Sequence, residues 1–174
     1  NQAFVDLMIP GVKGWFTEYS IDVTSDGVQV HGGMGFIEET GAAQFCRDSR
    51  ITTIYEGTTA IQANDLIGRK IARESGATVG AVVKMMRAVE AEVAAVGDES
   101  FAAIARSLKT GISAVEEAVA YILATYAKDI KGASVGSVPF LKLLGIVAGG
   151  WQMGRAALVA KRKLEAGEGD ASFY

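Results

Sequence analysis

A carboxylate in a setting that suits a general base stands at Glu56, within the segment IYEGTT of residues 54–59. It follows Ile54 and Tyr55, and it precedes a glycine that permits a tight turn into a threonine-capped helix. Partial desolvation by the two flanking side chains would favour the protonated acid and raise its pKa toward the range of a general base. An ordinary solvated Glu-Gly turn is the alternative, because a short motif alone has a high false-positive risk.

A second candidate is the glycine turn HGGMG at residues 31–35, which follows a long segment with helical periodicity. Gly32, Gly33 and Gly35 supply the left-handed conformations that end a helix. Such a turn frees backbone N–H groups at a helix junction, and these can hold phosphate or the pyrophosphate of a dinucleotide. A plain helix C-cap explains the same residues, so both interpretations stay open.

Polar side chains near the two turns have structural explanations as well. Thr58 and Gln62 fall on the first turn of the helix after Glu56, where orphan N–H groups favour a capping role. Arg47 and Asp48 are expected to pair with each other or to anchor the loop that carries Glu56. They would then hold the base in position without contacting substrate.

Composition limits the classes of function. The 174 residues suit a single core, and 49% hydrophobic with 21% charged residues is typical of a soluble globular protein. The net charge is −3, and no cluster of Lys and Arg alternates with aromatic residues. Nucleic acid is therefore not an expected partner.

Cysteine and histidine are too few for several kinds of site. Cys46 is the only cysteine, so no intrachain disulfide can form, and this favours a cytoplasmic location. His31 is the only histidine and is interpreted as a packed or surface imidazole. One His and one Cys give no metal-ligand spacing, so no metal site is predicted.

Targeting and membrane signals are not expected from the pattern. The most apolar run, Leu143–Gly154, is interrupted at its edges by Lys142 and Arg155, so no membrane span is predicted. No basic start precedes an apolar signal core. The chain begins with Asn1 in place of Met, which suggests a piece of a longer protein or a processed product.

Apolar residues recur at intervals of three and four along most of the chain, which predicts helices and no useful strand. The fold is predicted to be all-α, an antiparallel helical bundle with an additional C-terminal helical region. Pro10 fits a first helical turn, Asp98 fits a cap, and small residues at 132–138 suit a linker. Helices are predicted over about 10–30, 40–50, 58–74, 79–96 and 99–130, with a last one through 140–158 and a fraying tail from Ala166.

Over residues 29–62 the sequence resembles the C-terminal domain of the flavin-dependent acyl-CoA dehydrogenases. That family has a Q-x-x-G-G-x-G turn, a short helix ending in Arg-Asp, and I-Y-E-G-T leading into a helix with I-Q. The matching residues are Gln29, Gly32, Gly33, Gly35, Arg47, Asp48, Ile54, Tyr55, Glu56, Gly57, Thr58, Ile61 and Gln62. Where many relatives continue I-Q-R, this chain has Ala63, so a basic contact is absent.

The resemblance implies a reaction. Glu56 would remove the α-proton of an acyl-CoA thioester, while the β-hydrogen leaves as hydride to N5 of FAD and trans-2-enoyl-CoA forms. Electrons would pass to an electron-transfer flavoprotein. The resemblance also implies a homo-oligomer, because the glycine turn meets the FAD of a neighbouring subunit. The implied cofactor contacts are Gln29, Gly32, Gly33, Gly35, Thr58 and Gln62, and the implied substrate neighbours are Tyr55 and Gly57.

The specific motifs cover only the first part of the chain. Residues 1–75 are predicted to be the family's C-terminal helical domain, and 76–174 an added helical region packed on it. This division resembles the extended, methylthiopropanoyl-CoA dehydrogenase-like branch of the family. The family's N-terminal helical and middle β-domains have no counterpart here, so the isolated chain is expected to be inactive. The alternatives are a non-catalytic helical oligomerisation or docking module, and an acyl-CoA oxidase.

Overall fold

The computed structural model describes residues 2–174, which form helices and no strands. This confirms the predicted all-α class. Two 3-10 turns, Glu38–Thr40 and Arg50–Thr53, and a π-helical stretch, Leu66–Ala72, connect or extend the α-helices. The helices are α1 Gln2–Val30, α2 Gly33–Phe36, α3 Ala42–Ser49, α4 Thr59–Asp65, α5 Ala77–Ala94, α6 Glu99–Thr125, α7 Ile130–Val135 and α8 Ser137–Ala166.

One core joins the two halves of the chain. Buried side chains from α1, the π-helical stretch, α5, α6 and α8 meet in a single cluster. Among its members at most 1% exposed are Leu7, Leu66, Met86, Ile112 and Leu141. Because α5 and α6 are joined by a short turn and pack along each other, they form an antiparallel helical hairpin.

The predicted start of the first helix at Pro10 is wrong. α1 begins at Gln2 and runs through Pro10, which is buried inside it. Proline within a helix costs about 3 kcal/mol because it lacks an N–H and crowds the preceding turn. Leu7 is buried in the core and Phe4 packs against it, so tertiary contacts on the turn before Pro10 offset that cost.

Two other predicted boundaries change. The segment predicted as a linker at 132–138 lies mostly in helices, since it covers the second half of α7 and the first residues of α8. The N-cap of α7, Asp129, accepts a hydrogen bond from the Gly132 N–H at 2.8 Å. The helix predicted over 40–50 is divided, because Gly41 has φ +77° and separates a 3-10 turn from α3. The cap at Asp98 is confirmed, since its carboxylate accepts from the Phe101 N–H at 2.9 Å.

Trp15 fixes the spacing between α1 and α8. An added Cβ at Gly145 of α8 would lie 2.5 Å from Cδ2 and 2.6 Å from Cγ of the Trp15 ring. Trp15 packs against the core, and its rigid indole has no flexible end that could move aside. The glycine therefore allows α1, which carries one site turn at its end, to approach α8 closely.

We expect Gly145→Ala to lower the free energy of unfolding by about 1–3 kcal/mol, the usual cost of overpacking. Gly80→Ala on α5 is the matched control, because an added Cβ there meets nothing within 4 Å. That control should raise stability by about 0.5–1 kcal/mol through helix propensity. Urea unfolding followed by tryptophan fluorescence measures both, and equal stabilities for the two variants would contradict the steric account.

Among residues 2–174, α8 is the one helix long and apolar enough to cross a membrane by length and composition. In its most apolar window, 39% of the residues are buried inside the protein. Core helices of globular proteins pass the same test, so this is weak evidence for a span. Phe140, Leu144 and Trp151 of α8 belong to the common core.

Candidate functional site

The loop that carries Glu56 has an unusual backbone. Ile54 and Tyr55 donate their N–H groups to the Ile51 carbonyl at 2.9 and 3.2 Å, which closes the 3-10 turn. Glu56 and Gly57 then adopt φ +53° and +92°, and the chain enters α4. A side chain larger than glycine is uncommon in this left-handed region and carries strain. Contacts elsewhere must therefore hold Glu56 in this conformation.

The expected desolvation of Glu56 is wrong for this chain. Its side chain is exposed, and Ile54 and Tyr55 are themselves 51% and 52% exposed. Neighbours in sequence can cover a carboxylate only if they fold over it, and here Glu56 stays exposed beside them. Any shielding of Glu56 must come from groups outside residues 2–174.

Two side chains from helices brace the loop. Gln62 of α4 donates from Nε2 to the Glu56 carbonyl at 3.2 Å. Lys13 of α1 donates from Nζ to the carbonyls of Thr52 at 2.7 Å and Gly57 at 2.9 Å. Gly57 also leaves room for the amide, because a Cβ there would lie 2.9 Å from Gln62 Nε2.

Sequence reasoning did not identify Lys13 as a functional residue. Its neighbours Gly11 and Gly14 are both buried. No local sequence signal identifies it, because both carbonyls that it binds lie about 40 residues further along the chain.

Thr58 occupies the predicted cap position, but its hydroxyl does not cap. Its backbone is extended, with φ −61° and ψ 166°, and it makes no side-chain cap hydrogen bond. The next residue, Thr59, donates its hydroxyl to the Glu18 carboxylate of α1. Thr59 thus ties the start of α4 to α1, and Thr58 remains exposed.

The glycine turn does not free all the N–H groups expected of it. Gly32, at φ +61°, donates to the Gln29 carbonyl at 3.0 Å, and Gly35 donates to the Gly32 carbonyl at 2.9 Å. Gly35 is buried, and an added Cβ would overlap the Val28 carbonyl oxygen. Gly32 and Gly33 are open, since a Cβ on either meets nothing within 4 Å.

Side chains around this turn serve local structure. His31 is exposed, and its Nδ1 lies 2.8 Å from the Gly27 carbonyl oxygen, as befits a surface imidazole. Arg47 forms a two-point pair with Glu38, at 2.9 and 3.2 Å. The hydrogen bond and charge of Arg47 lower the pKa of Glu38, and the hydrogen bond and charge of Glu38 raise the pKa of Arg47.

The predicted partners of Arg47 are therefore wrong. It contacts neither Asp48 nor the Glu56 loop by hydrogen bond or ion pair, within residues 2–174. Glu38 is within reach because Gly41, at φ +77°, turns the chain between the 3-10 turn and α3. Arg47 thus fastens the segment after the glycine turn.

The site residues fall into two groups. Tyr55, Glu56, Gly57, Thr58 and Gln62 lie together in the loop and the first turn of α4. Gln29, Gly32, Gly33 and Gly35 lie at the far end of α1. Lys13 lies beside the first group, and Gln29 belongs to the second. About 16 residues of helix separate the two, which corresponds to roughly 24 Å along the axis of α1. The two groups therefore lie at different places along α1.

An exposed apolar stripe runs along α1. Its residues recur at steps of four and three and are 47–55% exposed. They are Val5, Ile9, Val12, Phe16, Tyr19 and Val23. The opposite face of α1 is buried in the core, so the helix is apolar on two sides, as in helices enclosed by further structure.

Comparison with known proteins identifies two family models. Residues 6–71 match the acyl-CoA dehydrogenase, C-terminal domain model. Residues 79–174 match the acetyl-CoA dehydrogenase C-terminal like model. The two matches together account for nearly all of the chain.

Relatives match along the same length. A 3-methylmercaptopropionyl-CoA dehydrogenase of Ruegeria pomeroyi is 49% identical over 99% of this chain and 29% of its own. A broad-specificity linear acyl-CoA dehydrogenase of Mycobacterium tuberculosis is 35% identical over 97% of this chain and 29% of its own. A butyryl-CoA dehydrogenase of Syntrophomonas wolfei is 29% identical over 97% of this chain and 28% of its own. The chain thus spans less than a third of the length of these relatives, and it belongs to the acyl-CoA dehydrogenase family.

Proposed function

We propose that this chain is the C-terminal part of an FAD-dependent acyl-CoA dehydrogenase that converts an acyl-CoA thioester to trans-2-enoyl-CoA. The longer polypeptide is called the full-length protein below. The observation that carries the proposal is the strained Glu56 turn, braced by Lys13 and Gln62 inside a sequence matched to the family. The relatives are more than three times as long as this chain, which supports the proposal that it is one part of a longer protein.

Glu56 acts as the general base. A carbon next to a thioester carbonyl is weakly acidic, so its proton needs a positioned carboxylate to accept it. The negative charge that develops on the carbonyl oxygen needs a hydrogen-bond donor, and the backbone N–H of Glu56 is the donor in this chain. FAD, when bound, supplies the acceptor for the β-hydride. The left-handed turn presents carboxylate and N–H from one residue.

Residues at both groups fit a dinucleotide cofactor. Gln29 is exposed, and Gly32 and Gly33 leave bare backbone that a ligand can approach closely. Thr58 keeps an exposed hydroxyl with no cap bond, and the Gln62 amide retains one N–H and its oxygen. These residues would hold FAD. Gly35 is buried and supports the turn that presents these residues, and its own contact with the cofactor stays part of the proposal.

Assembly into a homo-oligomer is part of the proposal. The resemblance to the family implies that the glycine turn meets the FAD of a neighbouring subunit, and its position at the far end of α1 from the Glu56 loop is compatible with that arrangement. The division into 1–75 and 76–174 is supported by the limits of the two family models, 6–71 and 79–174. We also propose a cytoplasmic location, in line with the single cysteine Cys46. The electron acceptor in the proposal is an electron-transfer flavoprotein.

The proposal is tested by product analysis. The full-length protein with FAD, a dye acceptor and an acyl-CoA should release trans-2-enoyl-CoA, identified by chromatography and mass. 3-Methylmercaptopropionyl-CoA, butyryl-CoA and octanoyl-CoA are the substrates to compare, because the first two occur in the relatives' names. The 174-residue chain alone should give no product. Absence of enoyl-CoA with every substrate would contradict the proposed function, and peroxide formed in air without dye would instead indicate an acyl-CoA oxidase.

A non-catalytic helical module is the second candidate. The exposed apolar stripe of α1 favours it, because such a face is suited to cover another surface. It predicts that Glu56 can be replaced without loss of function.

A further inference from the structure

One ammonium group closes the loop that carries Glu56. Lys13 Nζ binds the carbonyl of Thr52, where the loop begins, at 2.7 Å, and that of Gly57, where it ends, at 2.9 Å. The acceptors lie 39 and 44 residues from Lys13 in the chain. The loop is thus fastened at both ends to the middle of α1.

Few other forces hold this loop. Tyr55 and Glu56 are exposed, so apolar burial does little to fix them. The backbone bonds of Ile54 and Tyr55 reach only the Ile51 carbonyl and stay within the preceding turn. The left-handed pair Glu56-Gly57 is costly for the glutamate and relaxes unless its surroundings fix it. Lys13 and Gln62 supply the side-chain hydrogen bonds to the loop from neighbouring helices.

The chemistry of lysine suits this task. An ammonium group has three donors and no acceptor, so it can serve two carbonyls at once with charge-assisted bonds. The distance from Lys13 Nζ to the centroid of the Tyr55 ring is 5.6 Å, within the range of a cation–π contact. Lys13 is only half-buried. The position of the Lys13 side chain is therefore explained by its hydrogen bonds and not by packing in a cavity.

We propose that Lys13 is a positioning residue that sets the direction of the Glu56 carboxylate through the carbonyls of Thr52 and Gly57. It acts through the loop backbone and touches no reacting atom. This inference rests on the proposed function, in which Glu56 is the base. It adds that the base is aimed from α1, the same helix whose far end carries the glycine turn.

The test uses the full-length protein with Lys13→Met, Lys13→Gln, Lys13→Arg, Lys84→Met and Glu56→Gln. Methionine keeps much of the aliphatic length but removes the donors, and glutamine provides a second variant if methionine prevents folding. Lys84 is an exposed lysine of α5 with no side-chain hydrogen bond or ion pair to the described residues, and it serves as control. Measurements are kcat, KM, FAD content and the kinetic isotope effect for a substrate deuterated at its α-carbon.

We expect Lys13→Met and Lys13→Gln to lower kcat by about 100-fold, the effect of misplacing a catalytic group by an ångström. FAD content and KM should stay near wild type, and the α-deuterium isotope effect should rise because proton removal becomes slower. Lys13→Arg should recover activity to within about tenfold, since it retains charged donors. A role in folding alone would lower the active fraction and leave the isotope effect unchanged.

Two results overturn the inference. One is kcat within about twofold of wild type for whichever Lys13 variant folds. The other is a lowered kcat with an unchanged isotope effect. Glu56→Gln distinguishes failure of the proposed function from failure of the Lys13 inference. If Glu56→Gln remains active, the proposed function is wrong. If it is inactive and the Lys13 variants have normal activity, only the role of Lys13 is wrong.

Discussion

Replacing Glu56 by glutamine in the full-length protein should lower kcat about 10³-fold or more, in line with the loss of a general base. The amide has nearly the same shape as the carboxylate, and it cannot accept the α-proton. The backbone turn should persist, because Lys13 and Gln62 bind main-chain carbonyls and not the Glu56 side chain. Stability and the yellow flavin spectrum should therefore stay the same. The measurement is enoyl-CoA formation under saturating substrate.

Glu39→Gln is the matched control. Glu39 is also exposed, lies in the 3-10 turn before α3 and makes no side-chain hydrogen bond to the described residues. Its replacement should leave kcat unaltered. If Glu56→Gln retained the activity of this control, the helical module would become the better account of the chain.

Gly35→Ala should disrupt the glycine turn, whereas Gly33→Ala two residues earlier should be tolerated. A Cβ at Gly35 overlaps the Val28 carbonyl oxygen and lies 2.9 Å from His31 Cβ, so backbone must move to admit it. A Cβ at Gly33 meets nothing within 4 Å, and Gly33 has no positive φ. The expected losses in unfolding free energy are about 1–3 kcal/mol for Gly35 and within about 0.5 kcal/mol for Gly33.

The FAD content of the same two variants tests how each glycine supports cofactor binding. Gly35→Ala should lose FAD from the full-length protein, because the turn that presents Gln29 and Gly32 is displaced. Gly33→Ala should lower FAD content without a loss of stability, because the proposal places the cofactor against that open backbone. Thermal unfolding and flavin absorbance after desalting measure both effects. Equal stability of the two variants would contradict the steric role assigned to Gly35.

Local signals in the sequence predicted much of the architecture. The apolar spacing over residues 99–130 predicts a helix with one buried face, and Ile112 and Val115 of α6 are fully buried. Asp98 was predicted as a cap because it stands just before that pattern, and its carboxylate does cap α6. Periodicity and caps depend on residues a few positions apart, which is why a single sequence is enough to read them.

Features that depend on distant residues could not be read in this way. α1 continues through Pro10 because Leu7 packs against residues far along the chain. Glu56 has a positive φ because Lys13 and Gln62 hold the loop carbonyls, and no local signal marks those bonds. The exposure of Glu56 was missed for the same reason. Its sequence neighbours Ile54 and Tyr55 do not bury it, because burial is decided by elements that pack from elsewhere.

The most direct test of Glu56 as the base is a crystal structure of the full-length protein with FAD and an unreactive acyl-CoA analogue. The measurement is the distance from the nearer Glu56 carboxylate oxygen to the α-carbon of the analogue. A catalytic base in position should lie about 3–3.5 Å from that carbon, shielded from water and with Lys13 still on the Gly57 carbonyl. A Glu56 carboxylate that remains in open solvent, with another carboxylate beside the α-carbon, would contradict the account.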